Sequence, residues 1–382
     1  MRALLLLALA AAVPSLATNP LVVFFIDPTY DEYSGDAILV CTPAGRHYLI
    51  DGGMYSTWDP PWDCGAERVL PLLDSLGVER LDGVVGTHPD ADHIGGLISV
   101  YESIDVTRAY DSGWPYGGTW IYEDYLSAIE DCGSDLVVPR AGDELDWGPE
   151  LTVRVLHPVD PLPPDQTNNA SIVLRLEYGG TAFLFTGDLE TDGGEDAVLA
   201  SFPPEDLSAD VLKVAHHGSY TSTGTQWLAA VDPSIAAICV GAGNPYGHPH
   251  GEVLARLAGR DIAVYRTDLL GTFFIASDGT DIYVNALPPQ GGGQGSPSGF
   301  AVYPSPATSV ARFSWDASGG QAASIAVYNL NGERVLDVTA AGGLYEWNLV
   351  TDDGSVAAPG LYAVVLETEG GSVCTEYFAV SR

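Results

Sequence analysis

One ten-residue stretch, THPDADHIGG at residues 87–96, decides how the chain is interpreted. It follows a short apolar run, so we expect it to begin where a buried strand ends. Four side chains that can bind a metal stand within it: His88, Asp90, Asp92 and His93. Groups this close would compete for protons unless a cation neutralised the carboxylates and took the neutral imidazole nitrogens as ligands. The stretch therefore predicts a divalent metal site.

Apolar runs and turn residues on both sides of this stretch predict alternating strands and helices. Strands are predicted at 21–26, 37–41, 47–50, 81–86, 151–157, 172–177, 181–185, 211–215 and 235–240. Helices are predicted at 66–76, 119–132 and 195–199. This order indicates an α/β layered fold with the metal-binding residues at the carboxyl ends of strands.

The segment between residues 101 and 147 is rich in aromatic residues. They include Trp114, Tyr116, Trp120, Tyr122 and Tyr125. Such rings can line a substrate channel or pack into a local core, and the second interpretation is the more economical.

Further polar motifs follow the predicted strands in a fixed order. They are DGG at 51–53, NNAS at 168–171, TGDLE at 186–190, LKVAHHGS at 212–219 and NPYGHP at 244–249. Together with HxDxDHxGG they resemble the motifs of the metallo-β-lactamase superfamily, in particular the hydrolase domain of ComEC-type DNA-uptake proteins. The resemblance covers roughly residues 21 to 287. It implies an αββα sandwich and a metal-dependent hydrolase.

The resemblance also assigns roles to single residues. The metal ligands would be His88, Asp90, Asp92, His93, Asp188 and His248, with Asp188 bridging two ions. From position alone, we expect Asp92 and His217 to act in catalysis, His217 by protonating the leaving group, with Asn244 or Tyr246 stabilising the developing oxyanion. Asp51, Asn168, Asn169 and His216 would support the ligands from behind.

The adjacent histidines of the fourth motif need a separate argument. Neighbouring residues at the end of a strand point to opposite sides, so we expect only one of them to face the cleft. His217 is the preferred one, as a ligand or proton donor, with His216 behind it. His250 has no counterpart in the motifs and is expected on the surface.

The sequence departs from most of the superfamily at two places. Asp90 stands where most relatives have a second histidine, and the segment with Asn168 and Asn169 replaces another. The predicted site is therefore rich in oxygen ligands, which favour manganese or magnesium more than a histidine-rich site would. One or two divalent ions, Mn or Zn, are expected.

Charge limits the choice of partners. The 382 residues carry 51 acidic and 15 basic side chains, for a net charge of −36, and Lys213 is the only lysine. Such a field repels phosphate backbones. We therefore expect no stable nucleic-acid complex, although a nuclease can act on a strand that it holds transiently.

The N-terminus and the cysteines bear on location. Residues 1–17 have a basic start, an apolar run and small residues at the end, which is typical of a secretory signal peptide. No later apolar run is long enough to span a membrane. The five cysteines are scattered, and Cys64 and Cys132 are the pair most suited to a disulfide in an oxidising compartment, which sequence alone leaves open. An exported protein is expected, periplasmic, on the cell surface or outside the cell.

The C-terminal part of the chain has a different character. After a hydrolase domain at 18–287, residues 288–299 are rich in glycine, proline and glutamine, as in a flexible linker. Residues 300–382 then predict short alternating strands of a small β-sandwich. The module resembles the FlgD-like, immunoglobulin-like domains that end many exported bacterial proteins. We expect it to engage a secretion system or the cell surface rather than to carry out chemistry.

Three functions follow from these patterns. Metal-dependent hydrolysis of a phosphodiester, with DNA or a small phosphodiester as substrate, is the first. Hydrolysis of a lactone, thioester or β-lactam is the alternative, and it would prefer zinc and an apolar pocket. A cell-surface binding protein built on a hydrolase scaffold is the third.

Overall fold

The structure is a computed structural model. It describes residues 20–29, 35–57, 61–115, 117, 119–162, 166–285, 301–303, 307, 309–315, 322–329, 334–358, 360–368 and 373–380. The predicted signal peptide, the predicted linker at 288–299 and Tyr116 lie outside these residues. The domain boundaries therefore stay predictions.

The nine predicted strands of the N-terminal part are present with small shifts at their ends, the one at 81–86 as two strands, and nine further strands among the described residues were not predicted. In chain order, all these strands are β1 Leu21–Phe25, β2 Ala37–Cys41, β3 His47–Gly52, β4 Tyr55–Ser56, β5 Trp62–Asp63, β6 Arg80–Leu81, β7 Gly83–Gly86, β8 Asp105–Val106, β9 Arg108–Asp111, β10 Asp135–Val137, β11 Glu144–Leu145, β12 Leu151–His157, β13 Val173–Tyr178, β14 Thr181–Phe185, β15 Val211–Lys213, β16 Ile235–Ile238, β17 Ala263–Arg266, β18 Phe273–Ser277 and β19 Ile282–Asn285.

The helices alternate with these strands. They are α1 Leu70–Ser75, α2 Ala91–Ser103, α3 Trp120–Cys132, α4 Asp196–Ser201, α5 Pro204–Leu207, α6 Thr225–Val231, α7 Gly251–Ala258 and α8 Thr267–Leu270. A π-helical turn, Gly65–Val69, precedes α1, so the predicted helix at 66–76 is present in two parts.

Two mixed sheets form the centre of this region. Within the described residues the first has the order β10-β9-β7-β3-β2-β1-β18-β19 and the second the order β11-β12-β13-β14-β15-β16-β17. Helices α1 to α3 cover the first sheet, and α4, α6 and α7 cover the second. The layers are thus helix, sheet, sheet and helix, which confirms the predicted αββα sandwich.

Strand β1 shows why the sequence reads as continuous apolar runs. Val22 and Phe24 pack against the helices, whereas Val23 and Phe25 pack against the second sheet. A strand covered on both faces needs apolar residues at every position. Between the sheets, Trp147 is fully buried, and its ring stacks on that of Tyr48 with centroids 4.1 Å apart.

Both sheets have parallel strands that end at one edge of the sandwich. β3, β7 and β9 are parallel in the first sheet, and β14 to β17 are parallel in the second. The motif loops follow β3, β7, β14, β15 and β16. Open sites of α/β proteins lie at such carboxyl ends.

Glycines let helix α2 approach the turn after β3. The Gly96 N–H donates to Gly53 O at 2.9 Å, and a Cβ on Gly96 would collide with Gly52 O and lie 2.6 Å from Gly65 N. Asp36 joins the same segments by two further backbone hydrogen bonds. Its N–H donates to Asp92 O at 3.1 Å, and its carbonyl accepts from the Gly53 N–H. The glycines of the DGG motif and of the stretch at 87–96 thus allow the two backbones to approach closely.

The aromatic segment packs mainly into a local core. Tyr122 and Tyr125 are buried in the cluster between α2, α3 and the first sheet, whereas Trp120 is 51% exposed. Cys64 and Cys132 are free thiols, so the pairing that the sequence left open is not formed. No helix in the described part of the chain is long and apolar enough to cross a membrane.

A β-sandwich follows. Its strands are β20 Ala301–Tyr303, β21 Ala311–Ser314, β22 Ala322–Asn329, β23 Arg334–Ala341, β24 Leu344–Trp347, β25 Gly360–Thr368 and β26 Val373–Val380. Sheet β20-β21-β24 and sheet β23-β22-β25-β26 share one core around Phe313, Trp347 and Phe378. This is the predicted small all-β module.

Candidate metal centre

Three buried imidazoles converge at the edge where the motif loops meet. His88 follows β7, His93 lies in the first turn of α2, and His217 follows β15. All three are at most 3% exposed. The rings of His88 and His93 have centroids 4.1 Å apart, and those of His93 and His217 are 5.3 Å apart.

The Nδ1 atom of each imidazole is held by an oxygen. His93 Nδ1 lies 2.8 Å from Asp51 Oδ2, and His217 Nδ1 lies 2.9 Å from the carbonyl of Cys239. His88 Nδ1 lies 3.1 Å from Thr87 Oγ1, whose own hydrogen goes to Asp51 Oδ2 at 2.8 Å. Since these oxygens accept, Nδ1 carries the hydrogen in the neutral rings and Nε2 is the lone-pair nitrogen.

The three Nε2 atoms are buried and make no hydrogen bond within the described residues. Asp188, after β14, supplies a carboxylate that faces two of them, those of His93 and His217. Its Oδ1 is 3.3 Å from His93 Nε2, and its Oδ2 is 3.4 Å from His217 Nε2. Asp188 Oδ1 also lacks a hydrogen bond to any described residue, while the Asp188 N–H donates to Ser171 Oγ at 3.0 Å.

This arrangement fits a divalent metal ion. Buried polar atoms are ordinarily hydrogen-bonded, and lone pairs of imidazole and carboxylate that face one another unpaired are the donor set of a metal site. Ligand-competent atoms of Asp36, His93, Asp188 and His217 all lie within 4.8 Å of one another.

Asp36 is a member of this cluster that the sequence did not suggest. Its Oδ1 lies 3.2 Å from His217 Nδ1 and its Oδ2 lies 4.0 Å from His93 Nδ1, on the opposite side of both rings from Asp188. Oδ2 forms a 2.6 Å ion pair with Lys213 Nζ, and both side chains are 1% exposed. We therefore interpret Asp36 as a support behind the imidazoles, although it belongs to the compact cluster.

Electrostatics show that the centre attracts positive charge. Burial by itself would lower the pKa of His93 and His217, but Asp188 and neighbouring carboxylates raise the pKa of both well above the usual range. Burial would likewise raise the pKa of Asp188, yet the imidazoles hold it well below its usual range. Protons and metal ions would compete for such a site.

Asp90 and Asp92 lie at the mouth of the centre. Asp92 Oδ2 is 3.3 Å from His217 Nε2, with the Asp92 side chain 28% exposed. Asp90 Oδ2 is 3.7 Å from His88 Nε2 and accepts from Thr167 Oγ1 at 3.2 Å, with the Asp90 side chain 38% exposed. Both carboxylates can reach an ion held by the imidazoles.

Both adjacent histidines face Asp188, so the expectation that only one would do so is wrong. His216 Nε2 lies 3.8 Å from Asp188 Oδ2, and His216 Nδ1 lies 3.4 Å from Glu190 Oε1. Strand β15 ends at Lys213, and both histidines have a φ of 50°. The alternation of a strand therefore does not apply to them.

The asparagines of the NNAS motif hold the neighbouring loop. Asn169 accepts from the Glu190 N–H at 3.0 Å and donates to Asp192 O at 2.9 Å. Asn168 Nδ2 donates to Glu190 Oε1 at 3.4 Å. Ser171 of the same motif is nearer the centre, because its hydroxyl contacts Asp188 and lies 3.4 Å from His88 Nδ1.

The last motif is placed differently from expectation. Asn244 Nδ2 donates to the carbonyls of Gly241 and His248, and Asn244 Oδ1 accepts from the His248 N–H. This amide is committed to its own loop, which contradicts its predicted role at an oxyanion. Tyr246 is 70% exposed and stacks on His248, so it lies outside the buried centre.

His248 itself borders the centre. Its ring centroid lies 6.2 Å from that of His217 and 5.5 Å from that of His216. Burial, assisted by the charge of His217, lowers the pKa of His248 to about 4, so its ring is neutral at pH 7 and keeps a lone pair. His250 is half-buried, and its Nδ1 accepts from the Tyr220 N–H at 3.1 Å, so it is less exposed than the sequence suggested.

Comparison with protein families agrees with this geometry. Residues 30–242 match the model described as the metallo-beta-lactamase superfamily. The chain belongs to that superfamily. The family match and the buried His and Asp cluster support a metal-dependent hydrolase, as the motifs predict. The candidate ligands lie after β7, β14 and β15.

Two similar proteins share the N-terminal part of this chain. "ComE operon protein 3" of Bacillus subtilis is 36% identical over 253 residues, 63% of this chain and 32% of that protein. "Competence protein ComA" of Neisseria gonorrhoeae is 32% identical over 243 residues, 63% of this chain and 31% of that protein. The chain thus spans about a third of the length of these relatives.

The C-terminal module has a match of its own. Residues 301–379 match the model of a secretion system C-terminal sorting domain. This confirms the prediction of a sorting module and indicates export to the cell surface or beyond.

Proposed function

We propose that this exported hydrolase cleaves phosphodiester bonds, with DNA as the first candidate substrate. The observation that carries the proposal is the donor set at the centre: three inward-facing Nε2 atoms combined with the carboxylates of Asp188, Asp92 and Asp90. Carboxylates at the mouth would repel an anionic substrate unless cations neutralised them. The resemblance of the motifs to the hydrolase domain of ComEC-type DNA-uptake proteins makes DNA the first candidate substrate.

The distances at the centre support a proposed ligand assignment. His88 and Asp90 would hold one ion, and Asp92, His93 and His217 a second, with Asp188 between them and His248 at the border. His217 acts as a ligand in this assignment, since its hydrogen is on Nδ1. Oxygen ligands from three aspartates make manganese as suitable as zinc.

When bound, a divalent ion supplies Lewis acidity that lowers the pKa of a water and offsets negative charge on the phosphoryl group. The protein supplies the positioning. Asp51 fixes the ring of His93 and, through Thr87, that of His88. Ser171 fixes the backbone that carries Asp188. Asp36 and Lys213 hold the far side of His217.

The test uses purified protein stripped with EDTA and reloaded with Mn²⁺ or Zn²⁺. Hydrolysis of bis(p-nitrophenyl) phosphate and of a single-stranded oligonucleotide is expected only with metal. Asp188→Asn should remove it, whereas Asp146→Asn, at a carboxylate that is 79% exposed, should not. Metal-dependent hydrolysis of lactones or β-lactams without any phosphodiester cleavage would contradict the proposal and favour the alternative substrate class.

A further inference from the structure

A connected set of aromatic rings extends from the metal centre to the surface. The ring of His248 lies 5.6 Å from that of Tyr246 and 4.8 Å from that of His250, and His250 lies 5.0 Å from Tyr220, all between centroids. His248 is also the ring that neighbours His217 and His216. We call Tyr220, Tyr246, His248 and His250 the aromatic rim.

The outer members of the aromatic rim are open to solvent. Tyr220 is 63% and Tyr246 is 70% exposed, so most of each ring is available to a ligand. Unlike the members of an ordinary apolar patch, these two rings lie near a cluster of carboxylates and imidazoles. The rim offers flat π-faces, and its member His248 borders the metal centre.

The aromatic rim is held in place before any ligand arrives. The Tyr220 N–H donates to His250 Nδ1, and Arg256 donates to the carbonyls of Ser222 and Thr223 in the same loop. Asn244 fixes the loop of His248 with three hydrogen bonds. A preformed surface loses little conformational entropy on binding, which increases affinity.

We propose that the aromatic rim binds unpaired nucleobases of a single-stranded nucleic acid whose phosphodiester lies at the metal centre. This inference rests on the proposed phosphodiesterase activity. Every base has a π-face that stacks on aromatic side chains, whereas the bases of a duplex already stack on one another. The rim therefore favours single strands without reading their sequence.

The charge of the chain supports stacking as the source of affinity. Most nucleic-acid-binding proteins gain affinity from lysine and arginine contacts to phosphates, and they lose it steeply with salt. Here the net charge is −36 and the only lysine is buried at the centre. Stacking on the aromatic rim would then supply affinity that lysine contacts do not. Binding should accordingly weaken little as salt rises.

The experiment compares three strands of equal length with the full chain in Mn²⁺: oligothymidylate, its duplex with oligodeoxyadenylate, and an abasic strand. The wild-type protein should cleave oligothymidylate with the lowest KM. Replacing both outer rings, Tyr220→Ala with Tyr246→Ala, should raise that KM about tenfold or more, as the loss of two stacked bases predicts. The KM for the abasic strand should change less than twofold.

Matched variants guard against trivial explanations. Tyr220→Phe with Tyr246→Phe keeps both rings and should restore the KM, which a role of the hydroxyls would not allow. Trp120→Ala removes another exposed ring, on α3, and should leave all three strands unaffected. Binding of oligothymidylate to Asp188→Asn, measured by fluorescence anisotropy, should weaken less than threefold between 50 and 200 mM salt, where about six phosphate contacts would cost ~10³-fold.

Two results would overturn the inference while leaving the proposed function intact. They are equal KM values for abasic and thymidylate strands, and an unchanged KM in the double alanine variant, each with bis(p-nitrophenyl) phosphate still hydrolysed. Failure of the wild-type protein to hydrolyse any phosphodiester, bis(p-nitrophenyl) phosphate included, would overturn the proposed function and the inference together.

Discussion

Replacing Gly96 by alanine should destabilise the protein, although helix propensity predicts the opposite. Alanine is favoured over glycine inside a helix by about 1 kcal/mol. At Gly96, however, the new Cβ would collide with Gly52 O and lie 2.6 Å from Gly65 N, and neither backbone atom belongs to a flexible side chain. Overpacking of this kind costs about 1–3 kcal/mol or more, so the steric effect outweighs the propensity.

Gly251→Ala is the matched control, because Gly251 begins helix α7 and a Cβ there meets nothing within 4 Å. The control should be neutral or slightly stabilising. Thermal unfolding of both variants in EDTA gives the comparison. Gly96→Ala should also weaken metal binding, since a shift of α2 moves Asp92 and His93 away from Asp188. Equal stability of the two variants would refute the close-contact argument.

Three further predictions concern charge and metal. Removing metal with EDTA should lower the Tm of the wild-type protein. Mn²⁺ or Zn²⁺ at about 100 times its Kd should then raise the free energy of unfolding by about 2.7 kcal/mol. The Tm of Asp188→Asn should respond to neither treatment. Lys213→Met breaks a buried ion pair and should lower the free energy of unfolding, measured by urea titration, by about 3–5 kcal/mol. Arg154→Met breaks an exposed pair and should lower it by less than about 1 kcal/mol. Equal losses would contradict the argument from burial. Burial raises the pKa of Glu195 from 4.5 to about 7, so its contribution to stability is present below pH 4.5 and is lost as pH rises through 7. Between pH 4 and 8 the free energy of unfolding of the wild-type protein should therefore fall by about 3 kcal/mol through this group, and that of Glu195→Gln should not. Parallel plots of the free energy of unfolding against pH for the two proteins would contradict this.

The layered fold could be predicted because its signals are local. Strands such as β1 and β2 are covered on both faces and therefore consist of consecutive apolar residues. Motif order then placed Asp188 and His93 beside one another without any measured distance. The ends of strands were less predictable: β15 ends at Lys213, two residues before the predicted end. No residue pattern indicates the positive φ of His216 and His217 that follows.

Of the carboxylates behind the imidazoles, Asp51 was predicted, whereas Asp36 could not be. Asp36 follows a glycine and precedes an apolar strand, so it reads as a turn residue. Its role depends on the hydrogen bonds that join it to Asp92 and Gly53, segments that are distant along the chain. One signal was present: Lys213 is a lone lysine within an apolar strand, and such a residue needs a buried partner.

The burial of Lys213 has a practical consequence for chemical labelling. Acylating reagents react with neutral amines. The sequence has a single lysine ε-amino group, which is buried and paired with Asp36. On the folded protein they should react only at the α-amino terminus, and a second label should appear only when β15 opens to solvent. The rate at which that second label appears, followed by intact mass, would report the rate at which β15 opens beside the metal centre.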